Sequence, residues 1–194
     1  RAIGLDPEDV DLVAFSSLRG LDLRRLLGTT GPASDLGSPD RPVTPWLPRA
    51  RLLVGRAEWE ALEHLHPTQR PWYQHPTFAA LPADRVQPID GDVLVGPGIA
   101  LLATPGRTSG HVSLALHTDG GIWVCSSNGI APEAWAPHVS RIPGVRAWAV
   151  AWGREVLPRD DDSVASTVQY DSMVFERRVA DTSPLAPLPQ CLPT

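Results

Sequence analysis

The chain has 194 residues, of which 42% are hydrophobic and 20% charged, a balance that fits one globular domain with an ordinary core. Its formal charge of -5 and the lack of any basic block exclude a general nucleic-acid binder. No apolar run approaches the roughly 18 residues of a membrane span and no signal peptide is read, so a cytoplasmic protein without a membrane partner is expected. Cys125 and Cys191 are the only cysteines. One sits in an apolar strand pattern and the other in a proline-rich tail, which argues against a disulfide and for a reducing compartment. The 21 prolines gather in loops and at the C-terminus, where they punctuate a folded domain. The chain has no initiating Met, which is consistent with Arg1 beginning a fragment.

In chain order, Asp11 to Phe15 reads as a short buried strand, since Leu12, Val13, Ala14 and Phe15 are apolar in succession. Ser16-Ser17-Leu18-Arg19-Gly20 follows as a loop. Leu21 to Leu27 then carries Leu23, Leu26 and Leu27 at helical spacing before Gly28 stops it. A loop rich in Gly, Pro and Ser is expected from Thr29 to Pro48. Arg51 to Val54 reads as a strand and Arg56 to Leu65 as an amphipathic helix, with Trp59, Leu62 and Leu65 on one side and Pro67 closing it. Thr68 to Asp84 carries Trp72, Tyr73 and Phe78 and reads as a lid or a packed flap. Short strands are expected at Val86 to Asp90 and Val93 to Val95.

The most informative stretch is Ile99 to Ile130. An apolar strand enters Thr104-Pro105-Gly106, and a polar loop with Arg107, Gly110 and His111 follows. Val112, Leu114 and Leu116 alternate along a second strand. Asp119-Gly120-Gly121 turns the chain into a third, Ile122 to Cys125, which ends on Ser126-Ser127-Asn128. Strands ending in polar loops are how a site is built at the edge of a sheet. Beyond it, Ala131 to Trp135 reads as one helical turn and Ala147 to Trp152 as a buried strand or helix. Ser163 to Ala180 is the clearest helix, with Val164, Val168, Met173, Val174 and Val179 at near-helical spacing. The acids Asp160-Asp161-Asp162 before it suit the positive end of a helix dipole. One domain over 1–181 and an irregular tail over 182–194 are expected.

The order of these motifs resembles the metallo-β-lactamase fold superfamily, from about Asp9 to Ile130. The resemblance is most specific at Ala103-Thr104-Pro105-Gly106-Arg107-Thr108-Ser109-Gly110-His111-Val112-Ser113, where the family writes TPGHTPGH before a strand. Leu5 to Phe15 is similar to the lead-in to the HxHxDH loop of its lactonase-like branches. The resemblance implies an α+β fold, a four-layer αββα sandwich, metal-dependent hydrolysis and zinc. Only Arg1 to Ser16 precede the loop, so it also implies an incomplete first sheet, with opening strands truncated, encoded elsewhere or supplied by a partner. Unpaired edges on such a sheet favour self-association.

The family's ligand positions carry unusual residues here. By the resemblance, HxHxDH falls on Ser17, Arg19, Leu21 and Asp22, the His of TPGH on Arg107, and the bridging Asp on Asn128, give or take one residue. The last His lies near Gly153-Arg154, where none is present. Zinc takes three or four ligands from thiolate, imidazole and carboxylate. Of these positions only Asp22 offers an anion, and Arg19 and Arg107 are permanent cations. At 4 Å and an effective dielectric near 20, each would oppose a divalent ion by roughly 8 kcal/mol. The expectation is therefore a superfamily member without a zinc centre, cofactor or catalysis, in short a degenerate metal site.

Two further readings stand beside it. A metal-dependent hydrolase of lactone- or thioester-type substrates would need substitute ligands, such as Asp22, His111, Asn128 and His75 or His138. A small-anion binding module would use Arg19 and Arg107, helped by His111 and Ser17, to grip a carboxylate or phosphate. Against that module stands a plug in which Asp22 pairs with one or both arginines. His111 at the start of a strand suits a structural hydrogen-bonding role. His64 and His66 lie at a helix end where i and i+2 point apart. No G-x-S-x-G elbow surrounds Ser16-Ser17 or Ser126-Ser127. Cys125 lies inside a strand, as a packed thiol would.

Overall fold

Leu12–Ala14 forms a strand (β1) where the apolar run predicts one, but Leu12 and Val13 are half-buried and Ala14 is exposed, not buried as expected, in a computed structural model that describes residues 4–159, 164–183 and 187–194. The chain passes through residues 15–23 into one helical turn, α1 (Arg24–Leu27). Gly28 ends it at φ +83°, a conformation that costs glycine little because it has no Cβ. The stretch expected to be all loop holds a small antiparallel pair instead, β2 (Pro32–Ala33) and β3 (Ser38–Pro42). Its prolines and charged residues hide it from any reading based on alternation of apolar residues.

β4 (Arg51–Gly55) runs directly into α2 (Arg56–Ala61). After α3 (His75–Ala79), β5 (Val86–Ile89) completes a parallel three-stranded sheet of order β1-β4-β5. Leu52 lies opposite Val13 on one side and Val86 on the other. The core beside it gathers Leu18, Leu23, Leu27, Leu52, Val54, Leu62 and Phe78. The Trp59 ring meets Phe78 edge-on, 6.5 Å between centroids. The stretch from Thr68 to Asp84 is thus held down by Phe78, as a packed flap, while Trp72 stays exposed.

The chain divides into two compact units, Arg1–Ile89 and Asp90–Thr194. In the second unit β6 (Val93–Gly96), β7 (Ile99–Ala103), β8 (Val112–Thr118) and β9 (Gly121–Ser126) form an antiparallel meander. Two helices follow, α4 (Val145–Ala151) and α5 (Val164–Val179). The tail, expected to be irregular, adds β10 (Cys191–Pro193) parallel to β9, giving the order β10-β9-β8-β7-β6.

Met173 of α5 packs with Val124, Trp135, Val156 and Cys191 in this unit's core. Both cysteines are free thiols; Cys191 lies opposite Val124, and Leu192 opposite Cys125. The apolar run at 147–152, expected to be buried, lies in α4 and its C-cap, and Ala149 is the buried residue of that helix. The acids Asp160 to Asp162 lie outside the described residues. Among the described residues no helix is long and apolar enough to cross a membrane.

Leu52 is fully buried in the middle strand of the first sheet, so Leu52→Ala leaves a cavity with neighbours on both sides. Equilibrium urea unfolding should show a loss of about 2–5 kcal/mol.

Candidate functional site

In the first unit the positions of interest lie on the loop that leaves β1. Its backbone is held by a residue the sequence reading did not single out. Glu58, on α2 and almost wholly buried, accepts the Leu18 N–H at 3.0 Å and the Tyr73 hydroxyl at 3.2 Å on Oε1. Its Oε2 is buried with no hydrogen-bond partner among the described atoms. The Gly20 N–H donates to the Trp72 carbonyl at 2.7 Å. With Leu18 turned into the core, Ser17 and Arg19 flank it on the loop. The Arg19 guanidinium stacks over the Trp72 ring, 4.6 Å from its centroid, the geometry of a cation–π contact. Leu21 packs against the apolar core.

Asp22 has a partner the sequence reading did not weigh. Arg24 sets Nε 3.0 Å from Oδ1 and Nη2 2.8 Å from Oδ2, a two-pronged grip, and the Arg24 backbone N–H adds a bond of 3.1 Å to Oδ1. The same guanidinium reaches Asp35 at 2.6 Å. The hydrogen bonds from Arg24 hold the Asp22 carboxyl below the usual carboxylate range. Where a plug between Asp22 and Arg19 or Arg107 is one sequence expectation, the ion pair in place is local, between Asp22 and Arg24, two residues apart. At a helix start this spacing brings a carboxylate beside the second following residue.

In the second unit the loop between β7 and β8 closes on itself, the Thr104 N–H donating to the His111 carbonyl at 3.1 Å. The Arg107 backbone N–H donates to Asn128 Oδ1 at 3.1 Å. Gly106 sits so near the end of β9 that a Cβ there would come within 2.6 Å of Asn128 Oδ1 and 2.7 Å of Gln169 Cγ; this turn requires glycine. His111 is buried, with Nδ1 2.9 Å from the Thr104 carbonyl, to which it donates, and Nε2 2.9 Å from the Ser127 hydroxyl, which it accepts. Burial pushes its pKa down to about 4, so the ring is neutral near pH 7.

Behind this loop lies a second residue missed from sequence. Glu176 of α5, fully buried, accepts Ser113 Oγ at 2.9 Å, Ser126 Oγ at 2.9 Å and Asn128 Nδ2 at 2.8 Å on Oε1, and Trp135 Nε1 at 2.7 Å on Oε2. Burial raises its pKa, and the four donors oppose that rise. The only sequence signal was a charged residue inside a helix of apolar spacing. Nothing in one sequence tells such a residue from a solvated one. Asn128 Nδ2 also donates to the Thr104 carbonyl at 3.0 Å. Both ends of this amide are therefore committed, Oδ1 to Arg107 and Nδ2 to Glu176 and Thr104.

The structure thus places Ser17, Arg19, Leu21 and Asp22 on one loop of the first unit, and Arg107, His111 and Asn128 around one loop of the second. His138 is exposed in a short turn, Pro137–Val139. The His75 side chain lies outside the described residues.

No family model matches the chain. An N-acyl homoserine lactone hydrolase described as quorum-quenching superposes on 92% of it, with a TM-score of 0.50 and 20% identity. The chain has the metallo-β-lactamase fold. AidC, a dizinc quorum-quenching lactonase solved with a product, superposes on 96% of the chain at TM-score 0.52 and 11% identity. An N-acyl homoserine lactonase of Bacillus sp is 38% identical over 68 residues, 35% of this chain. The chain spans 56% and 62% of the length of the two solved structures and 24% of the Bacillus lactonase.

At the positions that the sequence resemblance singles out, Asp22, Asn128 and His111 all have partners within the protein. At the matched positions Asp22 is the sole carboxylate, and two guanidinium nitrogens already occupy its oxygens. Asn128 presents N–H groups, which are donors, toward Glu176. His111 has both ring nitrogens engaged.

The neutral state of His111 ties stability to pH. Its folded pKa of about 4 lies below the ordinary 6.5, so the unfolded chain takes up the proton first as pH falls. The contribution is fully present above pH 6.5 and is lost on the way down to pH 4, about 3 kcal/mol in all. Glu176, with a raised pKa, acts in the opposite sense. Unfolding free energies of the native chain and His111→Asn, measured across this range, should diverge by that amount. Equal slopes would refute it.

Proposed function

We propose that this chain is a lactonase-like member of the metallo-β-lactamase fold that has given up its zinc ligands and, with them, metal-dependent hydrolysis. What supports the reading most is the chemistry at Asn128, where the family carries its bridging aspartate. The amide donates to the buried carboxylate of Glu176 across 2.8 Å. A carboxylate in its place would set two acids against each other inside a dry core, where like charges are costly. The residue that removes a metal ligand is also the residue that satisfies the core. Asp22 in its Arg24 grip and the cations Arg19 and Arg107 support the reading from the other matched positions.

The chain equilibrated with excess zinc and then desalted should retain well under one equivalent by elemental analysis. It should not open N-acyl homoserine lactones above the rate of buffer. Stoichiometric zinc together with turnover would overturn the reading.

Asn128→Asp gives a sharper test. A dormant metal site would gain zinc affinity from the restored carboxylate. We expect instead no gain in zinc and a stability loss of about 1–3 kcal/mol at pH 7, smaller at acid pH, where one carboxyl of the pair takes a proton.

A further inference from the structure

The helix α4 is built the wrong way round for a surface helix. Helices on a globular surface bury an apolar stripe and show water a polar one. Here Ala149 is the buried residue, while Trp148 is 44%, Val150 67% and Trp152 67% exposed. At helical spacing Ala147, Trp148, Val150 and Ala151 span the arc opposite Ala149, so the outward face is apolar throughout. Ile142, just before the helix, is 46% exposed. Solvent-facing indoles grouped in this way mark an interaction surface.

The charge around this face is one-sided. Between Glu133 and Glu155 the sequence contains Arg141, Arg146 and Arg154 and no acid, in a chain whose net charge is -5. All three arginines are exposed. Glu155 has its own partner in Arg177, 3.7 Å away, and the Arg154 guanidinium rests over the Tyr170 ring.

We propose that α4 and the turn before it dock on an anionic lipid surface, with Trp148, Val150 and Trp152 seated at the headgroup level and Arg141 and Arg146 beside them. Three observations favour this occupant. The segment from 134 to 154 carries three exposed arginines and no acid and so fits an anionic surface, whereas a second copy of the same segment would bring arginines against arginines. The exposed apolar residues lie on one short helix and the turn before it, which a fluid interface accepts without shape complementarity. Tryptophan and arginine together are the side chains that settle at the boundary between water and acyl chains. Lying on a membrane makes no demand for a spanning helix, and the face is independent of the metal question.

Vesicle flotation tests it. The intact chain should rise with vesicles of phosphatidylcholine and phosphatidylserine and stay behind with phosphatidylcholine alone. Arg141→Gln with Arg146→Gln should weaken partitioning about fivefold for each arginine removed. Trp148→Ser with Trp152→Ser should abolish it, with the folded circular dichroism spectrum retained. Failure to float with the mixed vesicles overturns the proposal, as does flotation that the tryptophan pair does not affect. A dimer in sedimentation that the same pair dissolves would assign the face to a second copy. Capture on polyglutamate beads without vesicle binding would assign it to an acidic protein. Either result overturns the lipid assignment.

Discussion

A carboxylate without water must be surrounded by donors, and Glu176 shows how much structure that demand can organise. Its two oxygens draw Ser113 from β8, Ser126 from the end of β9, Asn128 from the loop beyond and Trp135 from the turn that follows. Through Asn128 the same network fixes the Arg107 backbone N–H and the Thr104 carbonyl, and Thr104 in turn sets the tautomer of His111. Remove the acid and four buried donors lose their acceptor at once, which is why such networks are fully satisfied or not formed. The loop between β7 and β8 is thereby part of the core's own hydrogen-bond network.

The first unit solves an equivalent problem with less. Its loop after β1 hangs from one oxygen of Glu58 and from the Trp72 carbonyl, while Arg24 neutralises Asp22 and Asp35 together. Both units use a buried glutamate from a helix to brace a strand-end loop. Polar side chains of these loops meet local partners: an aromatic ring for Arg19, a guanidinium for Asp22, a carboxylate for Asn128.

Much of this was legible in the residues, and the parts that were not have physical reasons. β4, β7, β8 and β9 announce themselves by alternation or by continuous apolar runs, and the turn at Thr104-Pro105-Gly106 with His111 carried the fold resemblance that the structural comparisons support. The run at 147–152 reads as buried from its hydrophobicity, whereas α4 turns its tryptophans outward. β10 is hard to read from sequence because Pro189 precedes it, Pro193 ends it and its pairing with β9 is distant in sequence. Glu58 and Glu176 were invisible for a different reason. A glutamate on a helix reads as solvent-facing, and only the three-dimensional arrangement of hydroxyls, amides and indoles around it shows otherwise. Asp22 stands out in sequence as the single anion of its loop, but the arginine that pairs with it is Arg24, two residues on, in place of Arg19 or Arg107.

The parallel pairing of β10 with β9 also bears on how the polypeptide matures. A nascent chain emerging from the ribosome can assemble the meander from β6 to β9 as soon as those strands are free, since each neighbour is adjacent in sequence. The outer flank of β9 then remains an open template until residues 191–193 have been synthesised and α5 has laid its acid over the strand ends. During that interval the exposed ladder of amides is open to any extended peptide nearby. An edge left open in this way is a place for unwanted strand pairing until the sheet is complete.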